Sequence, residues 1–243
     1  MNKSQNIYDD PTFFQGYRDL RDRDDNHNIL IEQPAMAELL PDLTGKTVLD
    51  LGCGCGGNCL DFVRRGAVHV VGVDISENML AAAREEADNP RIEYRRMDMT
   101  ELSILTEQFD FVYSSLAFHY IEDFPKLLAD IRACLKSNGI LLFSQEHPLN
   151  TTEGYFNRDE HGNRVSYTFF DYNVPGKRVV KWFVDGVEKY HRPMGQILTD
   201  LAHAGFTIEE VSEPTPKDWA LERRPELIKE RIKPCFLIIR ARI

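Results

Sequence analysis

The 243-residue chain contains no long apolar run. No hydrophobic segment opens it, so no signal peptide is expected. Nothing approaches the roughly 20 apolar residues of a membrane-spanning helix. Positive charge is scarce: 29 Lys and Arg stand against 39 Asp and Glu, a formal net charge of −10. So acidic a surface repels a phosphate backbone, and the basic groups at Arg18, Arg21 and Arg23, at Arg95 and Arg96, and at Arg223 and Arg224 are too short and scattered to line a nucleic-acid groove. The five cysteines are odd in number, and Cys53, Cys55 and Cys59 share one glycine-rich stretch where disulfides are not expected. That usage suggests a reducing, cytoplasmic compartment. No Cys or His pair at ligand spacing completes a metal site around them, so no metal is expected. Repeats and low-complexity segments are absent too. The length fits one α/β domain with an embellishment, long enough to bury a substantial core. The composition favours a small-molecule partner over nucleic acid or a membrane.

What is present is concentrated in residues 47–57. Thr47–Leu51 reads as a buried strand that breaks into Gly52, Gly54, Gly56 and Gly57 ahead of an amphipathic run over 58–65. Glycines let the backbone approach a ligand closely, and the free N–H groups of a helix start face it. Gly52, Gly54 and Gly57 satisfy G-x-G-x-x-G, and Asp74 follows a second strand, 68–73, 22 residues beyond Gly52. An acidic residue at that distance suits two ribose hydroxyls. The glycines alone therefore leave a nicotinamide dinucleotide and S-adenosylmethionine both open. Three features favour the second. Asp50 precedes the glycines, where a carboxylate sits poorly beside a pyrophosphate but can reach the ammonium of S-adenosylmethionine. Asp98, after a third strand over 91–95, can meet an adenine amino group. The chain then ends in a strand pair rather than a catalytic domain.

Taken together, these residues resemble a class I S-adenosylmethionine-dependent methyltransferase of the methyltransferase type 11 family, small-molecule type. The likeness rests on Val48 to Gly56, Val71 to Leu80, Met97-Asp98-Met99, Phe109 to Ala117 and Leu135 to Phe143, which are collinear over roughly residues 45–146. The later run Phe143-Ser144-Gln145-Glu146-His147-Pro148 and the triplet His191-Arg192-Pro193 resemble a bacterial subgroup. The resemblance implies an α/β Rossmann-like three-layer sandwich with a seven-stranded, mostly parallel sheet of order 3-2-1-4-5-7-6, the last two strands antiparallel. It also implies S-adenosylmethionine as cofactor, S-adenosylhomocysteine (SAH) as product, and cofactor contacts from Gly52, Cys53 and Gly54 through backbone, and from Asp50, Asp74, Ile75, Met79, Asp98, Met99 and Ser115.

Alternation of strand and helix patterns supports a parallel sheet with helices on both faces. A helix is expected near 8–17, with Pro11 in its first turn, and another over 28–40, followed by Pro41. Further helices are expected over 77–86, capped by Ser76, over 124–135, and over 193–204, ended by Gly205. Strands are expected over 109–114, 139–145, 206–212 and 235–243. Residues 1–45 read as a helical lid, with 46–147 and 193–243 as the cofactor domain. Residues 148–192 interrupt the scheme: 165–172 and 178–184 are rich in β-branched and aromatic residues, and Asp185-Gly186 signals a tight turn before 187–190. This β insertion leaves the carboxyl end of strand five, where α/β enzymes bind ligands, so an active-site cover is expected, with a dimerisation flap as the alternative. Monomer and homodimer both remain open.

Methyl transfer from a sulfonium needs approach, orientation and exclusion of water, and a base only when the acceptor must lose a proton. His119 and His147 sit at strand ends facing the expected methyl position and are the candidate bases. With neutral imidazole as the active form, the rate would rise with pH through about 6–7. Glu146, His191 and Arg192 are candidate acceptor contacts, and Tyr17 with Arg21 can reach the cofactor carboxylate from the lid. The rival functions are a nicotinamide-dependent oxidoreductase, a protein that binds S-adenosylmethionine without turnover, and an enzyme methylating a carrier-bound group or a macromolecule.

Overall fold

The computed structural model describes residues 4–243. Two helices, α1 (Pro11–Arg21) and α2 (Gln33–Leu39), precede the sheet. Then follow β1 (Thr47–Leu51), α3 (Gly57–Arg64), β2 (His69–Asp74), α4 (Glu77–Glu86), β3 (Ile92–Arg96), β4 (Phe109–Ser115), α5 (Phe124–Cys134) and β5 (Leu135–Glu146). Four strands, β6 (Glu153–Arg158), β7 (Arg164–Phe170), β8 (Gly176–Trp182) and β9 (Val184–His191), make up the insertion. The chain closes with α6 (Met194–His203), β10 (Thr207–Ser212), α7 (Asp218–Arg223) and β11 (Phe236–Arg242). Seven strands form one sheet in the order β3-β2-β1-β4-β5-β11-β10. The first five run parallel; β11 is antiparallel to β5 and to β10. This is the expected order.

The apolar runs of the central strands follow from burial on both faces. Along β1, Val48 joins Val70, Phe111, Leu142 and Ile238 with Phe62 and Val63 of α3 on one face. Leu49 and Leu51 join Val71, Val73, Val112 and Phe143 on the other, against Phe124, Leu127, Leu128 and Ile131 of α5 and Ile197 and Leu201 of α6. Helix α4 starts where the sequence places it: the Ser76 hydroxyl accepts from Met79 N at 3.1 Å. Gly205, at φ +85°, closes α6.

Three expectations need correction. The helix expected over 28–40 is a π-helical turn, Asn28–Glu32, continued by α2. Pro34 has no N–H to give to the Leu30 carbonyl and its ring crowds that oxygen, so the regular ladder cannot run through. The insertion is two separate hairpins, β6–β7 and β8–β9, and β6 was not anticipated. The second hairpin turns at Phe183, φ +60°, not at Asp185-Gly186; Trp182 pairs with Val184 and Val180 with Val187, which leaves Asp185-Gly186 as a bulge within β9. Residues 213–234, given no element from sequence, contain α7 and a 3-10 stretch, Pro225–Arg231. Ala220 and Leu227 there pack on Leu30 and Ile31 of the π turn.

The loop between β1 and α3 is fixed by its glycines. Gly56 has φ +76°, and a Cβ there would lie 2.2 Å from Tyr94 Oη and 2.8 Å from Tyr94 Cζ. Gly56→Ala is therefore expected to destabilise the fold by about 2–4 kcal/mol, combining left-handed strain with overpacking. Tyr94→Phe should give little relief, because the ring carbon remains in the way. Denaturant unfolding of the single and double variants checks this, and a loss in the single variant near zero would contradict it.

Candidate active site

A cavity of about 1020 Å³ opens over the carboxyl ends of β1, β2, β4 and β5. Strands β2, β4 and β5 end on residues that line the cavity, and the residue after β1, Gly52, does so too. After β1, Gly52 N and Cys53 N both donate to the Val73 carbonyl, at 2.9 and 3.0 Å, so the loop turns across the end of β2. Gly52 and Gly54 sit at φ +73° and +54°, and nothing lies within 4 Å of a Cβ built on Gly54, so that side faces open space. Asp74 ends β2. Its two carboxylate oxygens accept from Gly54 N and Ser76 N, each at 2.9 Å, and burial pushes its pKa up. It lines the cavity beside Ile75 and Met79. Asp98 takes Thr100 N at 2.9 Å and both Ser4 N and Ser4 Oγ at 3.0 Å, which draws the N-terminal segment over the cavity next to Met99.

Helix α1 and the residues before it supply the opposite wall. Tyr8, Tyr17 and Arg21 line the cavity, with the Arg21 guanidinium 5.8 Å from the Tyr17 ring centre. The hairpin β8–β9 packs on this helix: Trp182 and Phe183 stand edge-on to Phe13 at 5.3 and 5.5 Å, and Trp182 to Tyr17 at 6.3 Å.

At the end of β4, Ser115 lines the cavity and its hydroxyl donates to Glu32 Oε1 at 2.8 Å. Ser144 donates to the same oxygen at 2.6 Å. Glu32 is fully buried, burial raises its pKa, and its Oε2 has no partner among the described residues. Sequence reasoning missed it; the signal was an acid in the apolar run Ile29-Leu30-Ile31-Glu32. At the end of β5, Glu146 pairs with Lys189 at 2.5 Å, and the Lys189 ammonium lies 5.1 Å from the Trp182 ring centre. Lys189 was also missed, although it stands between Val187 and His191 on the inward face of β9.

The sequence candidates divide into those in the wall and those behind it. Gly52, Cys53, Gly54, Asp74, Ile75, Met79, Asp98, Met99, Ser115, Tyr17, Arg21, His119 and Glu146 all line the cavity. Asp50 does not: it is fully buried beneath the loop, where Cys59 Sγ lies 3.3 Å from its Oδ2 and its Oδ1 has no partner among the described residues. His147 is turned away, Nε2 against Glu213 at 2.6 Å and Nδ1 accepting from Leu149 N. His191 is fully buried between Thr151 Oγ1 and the Tyr172 carbonyl, both at 2.7 Å. Arg192 is buried over the Phe124 ring and donates to the Ile121 and Glu122 carbonyls. These three fasten the insertion to the domain and are not placed to contact an acceptor.

His119 reaches the cavity with one ring nitrogen already engaged. Its Nδ1 accepts from Glu146 N at 3.3 Å, which leaves the proton on Nε2. Burial lowers its pKa to about 4, with Lys189 and Arg192 reinforcing the fall against the pull of Glu146. The ring is neutral across the physiological range and presents a donor.

Residues 48–139 match a family model described as a methyltransferase domain. An uncharacterised protein of Haemophilus influenzae is 41% identical over 227 residues, covering 90% of this chain and 89% of that protein. The crystal structure of an S-adenosylmethionine-dependent methyltransferase from Mesorhizobium loti is 39% identical with a TM-score of 0.82, covering 87% of this chain and 97% of that one. A Listeria monocytogenes protein assigned to the same class is 35% identical with a TM-score of 0.80, covering 87% and 96%. These similarities decide between the two cofactors that the glycine spacing leaves open, in favour of S-adenosylmethionine. The cavity suits it. The ligand carries a sulfonium and an ammonium, and the floor beneath holds Asp50 and Glu32, two buried carboxylates each with an unpartnered oxygen.

Asp74→Ala should weaken SAH binding by about 1–3 kcal/mol, since hydroxyl groups lose a charged acceptor; calorimetry showing wild-type affinity would remove Asp74 from the site. Gly54→Val should abolish SAH binding, because its side chain enters the open side of the loop and the φ of +54° strains a β-branched residue, while the circular dichroism spectrum stays that of a folded protein of lower stability.

The carboxylates also set a pH dependence. Burial pushes Asp50 up to about 7, with nearby Asp74 adding to the rise. A raised carboxyl pKa makes the ligand-free fold lose stability as pH climbs through about 7. A cationic ligand favours the ionised form, so S-adenosylmethionine should bind with proton release below about 7, its affinity rising with pH and levelling above that. Titration calorimetry in buffers of different ionisation enthalpy reads the released proton, and Asp50→Asn should eliminate the pH step.

Proposed function

The chain belongs to the S-adenosylmethionine-dependent methyltransferases, and on that basis we propose that it methylates a small molecule held between the cofactor and the β8–β9 hairpin. One observation carries this reading: a single cavity runs from Asp74 and Asp98 to His119, Tyr120, Glu146, Lys189 and Trp182. Its volume, about 1020 Å³, reaches the upper end of the ~300–1,000 Å³ usual for ligand sites, which leaves space for a second small molecule beside a cofactor. When bound, S-adenosylmethionine supplies an activated methyl group. Asp74 takes the ribose hydroxyls and Asp98 the adenine amino group. Arg21 meets the methionine carboxylate. Glu32, through Ser115, faces the ammonium with negative charge. The glycine loop permits close backbone approach.

At the acceptor end, Tyr120 and His119 supply donors, and the Lys189–Glu146 pair adds an oriented dipole. The Trp182 hairpin keeps water from the transfer by packing on Phe13 and Tyr17, which makes residues 148–192 the active-site cover and 1–45 its counterpart lid. With His119 protonated at Nε2 and His147 turned away, catalysis rests on approach, orientation and exclusion of water rather than on an imidazole base. The acidic surface, with a formal charge of −10, weighs against a nucleic-acid substrate.

Incubation with methyl-labelled S-adenosylmethionine and a size-fractionated extract tests the acceptor class. Label is expected in the low-mass fraction. Label confined to protein or nucleic acid would overturn the small-molecule reading, and intact SAH binding with no transfer to any fraction would favour a binder without turnover. With an acceptor in hand, His119→Asn should retain transfer within about tenfold, and the wild-type rate should show no rise through pH 6–7 attributable to imidazole. A loss of about a hundredfold or more together with such a rise would restore His119 as base. Trp182→Ala should slow transfer more than it weakens SAH binding, whereas equal losses would count against the cover.

A further inference from the structure

A smaller cavity of about 280 Å³ adjoins the main one and shares four lining residues with it: His27, Glu146, Asn150 and Phe236. Phe156 of the insertion and Lys229, Glu230, Lys233 and Cys235 complete its wall. Its charges can be matched one against another. Glu146 is held by Lys189 at 2.5 Å. Glu230, nearly buried, has His27 at 3.4 Å and Lys229 at 3.6 Å. Lys233 is left over. Among the described residues its ammonium makes no ion pair and no hydrogen bond; it lies 5.0 Å from the Tyr167 ring centre. A partly desolvated ammonium with three unused donors is costly unless a partner arrives, and an aromatic face offsets only part of that cost. Burial accordingly lowers the Lys233 pKa, against the pull of Glu230 and Glu146.

We propose that this annex recognises the acceptor, and that Lys233 receives a carboxylate carried by it. The inference deepens the small-molecule reading and rests on it. One uncompensated cation matches one negative charge, which favours a monoanionic carboxylate over a doubly charged phosphate. Phe156 and Phe236 give the same space apolar walls, suited to an aromatic or alkyl body. Because the annex opens onto Glu146 at the end of β5, an acceptor anchored on Lys233 has its far end directed toward His119 and Ser115, where the methyl group is presented.

Benzoate is the probe, with benzamide as its neutral isostere and inorganic phosphate as the competing anion. Each is titrated into the SAH-saturated protein at constant ionic strength, with ligand-observed NMR as readout. Benzoate should bind and benzamide should bind markedly more weakly. Lys233→Met should weaken benzoate by about tenfold or more, as loss of a buried charge partner does, while SAH affinity and thermal stability stay at wild-type levels. Lys229→Met should change benzoate binding little. Equal binding of benzamide, unchanged benzoate binding in Lys233→Met, or absence of benzoate binding by protein that still holds SAH would overturn the proposal. Phosphate binding in preference to benzoate would overturn the carboxylate assignment. None of these outcomes depends on turnover, so a failure here is distinct from label appearing on a macromolecule.

Discussion

The Asp74 carboxylate ties two turns together, and much of the cofactor end depends on that tie. One oxygen accepts from Gly54 N in the loop after β1, and the other from Ser76 N in the turn before α4. Because Ser76 is thereby placed, its hydroxyl can accept from Met79 N and donate to Asp9 Oδ1 at 2.6 Å. Asp9 also accepts from Asn78 N and, on its other oxygen, from Asn6. The chain of bonds thus runs from the sheet to the residues just before helix α1. A single carboxylate positions the glycine loop, the start of α4 and residues 6–9, and still has lone pairs directed to the cavity. Such an arrangement couples the position of residues 6–9 to that of the glycine loop.

The electrostatics beneath the cavity fit a cationic ligand. Asp50 and Glu32 are buried and Asp74 is half-buried, and all three have raised pKa values with desolvation the largest cause in each. Unpartnered oxygens on Asp50 and Glu32 leave negative potential unspent. Six buried side-chain polar atoms have no hydrogen-bond partner among the described residues, and the two on Asp50 and Glu32 lie beneath the cavity, where a cationic ligand would offset the need for one. A sulfonium and an ammonium answer that need, whereas the pyrophosphate of a dinucleotide would add repulsion. The cofactor preference read from Asp50 agrees with the comparisons, while Asp50 itself lies beneath the loop and outside the cavity wall.

The end of the cavity beside the β8–β9 hairpin is built differently. Its walls come from the insertion and from the segment between β10 and β11, and its polar groups are basic or paired. His147, His191 and Arg192 lie close by in sequence to residues that face the cavity, yet they hold the hairpins and the turn after β5 in place through Glu213, Thr151 and the carbonyls of Tyr172, Ile121 and Glu122. Their burial is the mechanical support that lets Lys189, Trp182 and Glu146 present fixed positions to a ligand.

The local signals in the sequence determined the parallel core, the Thr47–Leu51 strand and its glycine loop, the Ser76 cap and the placement of Asp74 and Asp98. Each of these follows from periodicity, from a backbone conformation only glycine adopts easily, or from a spacing of a few residues, and such constraints are written along the chain. What only the tertiary structure decided lies in contacts between distant segments. Glu32 meets Ser144 across 112 positions, and Glu146 meets Lys189 across 43. The direction of a strand-end side chain such as His147, whether into the cavity or against Glu213 66 positions away, is set by its neighbours in space. Likewise the hairpins of 148–192 could be seen as β structure from their composition, but their turn at Phe183 was fixed by pairing and by packing on Phe13. Side-chain chemistry at a distance is an outcome of the fold, because no local rule states which element will arrive opposite it.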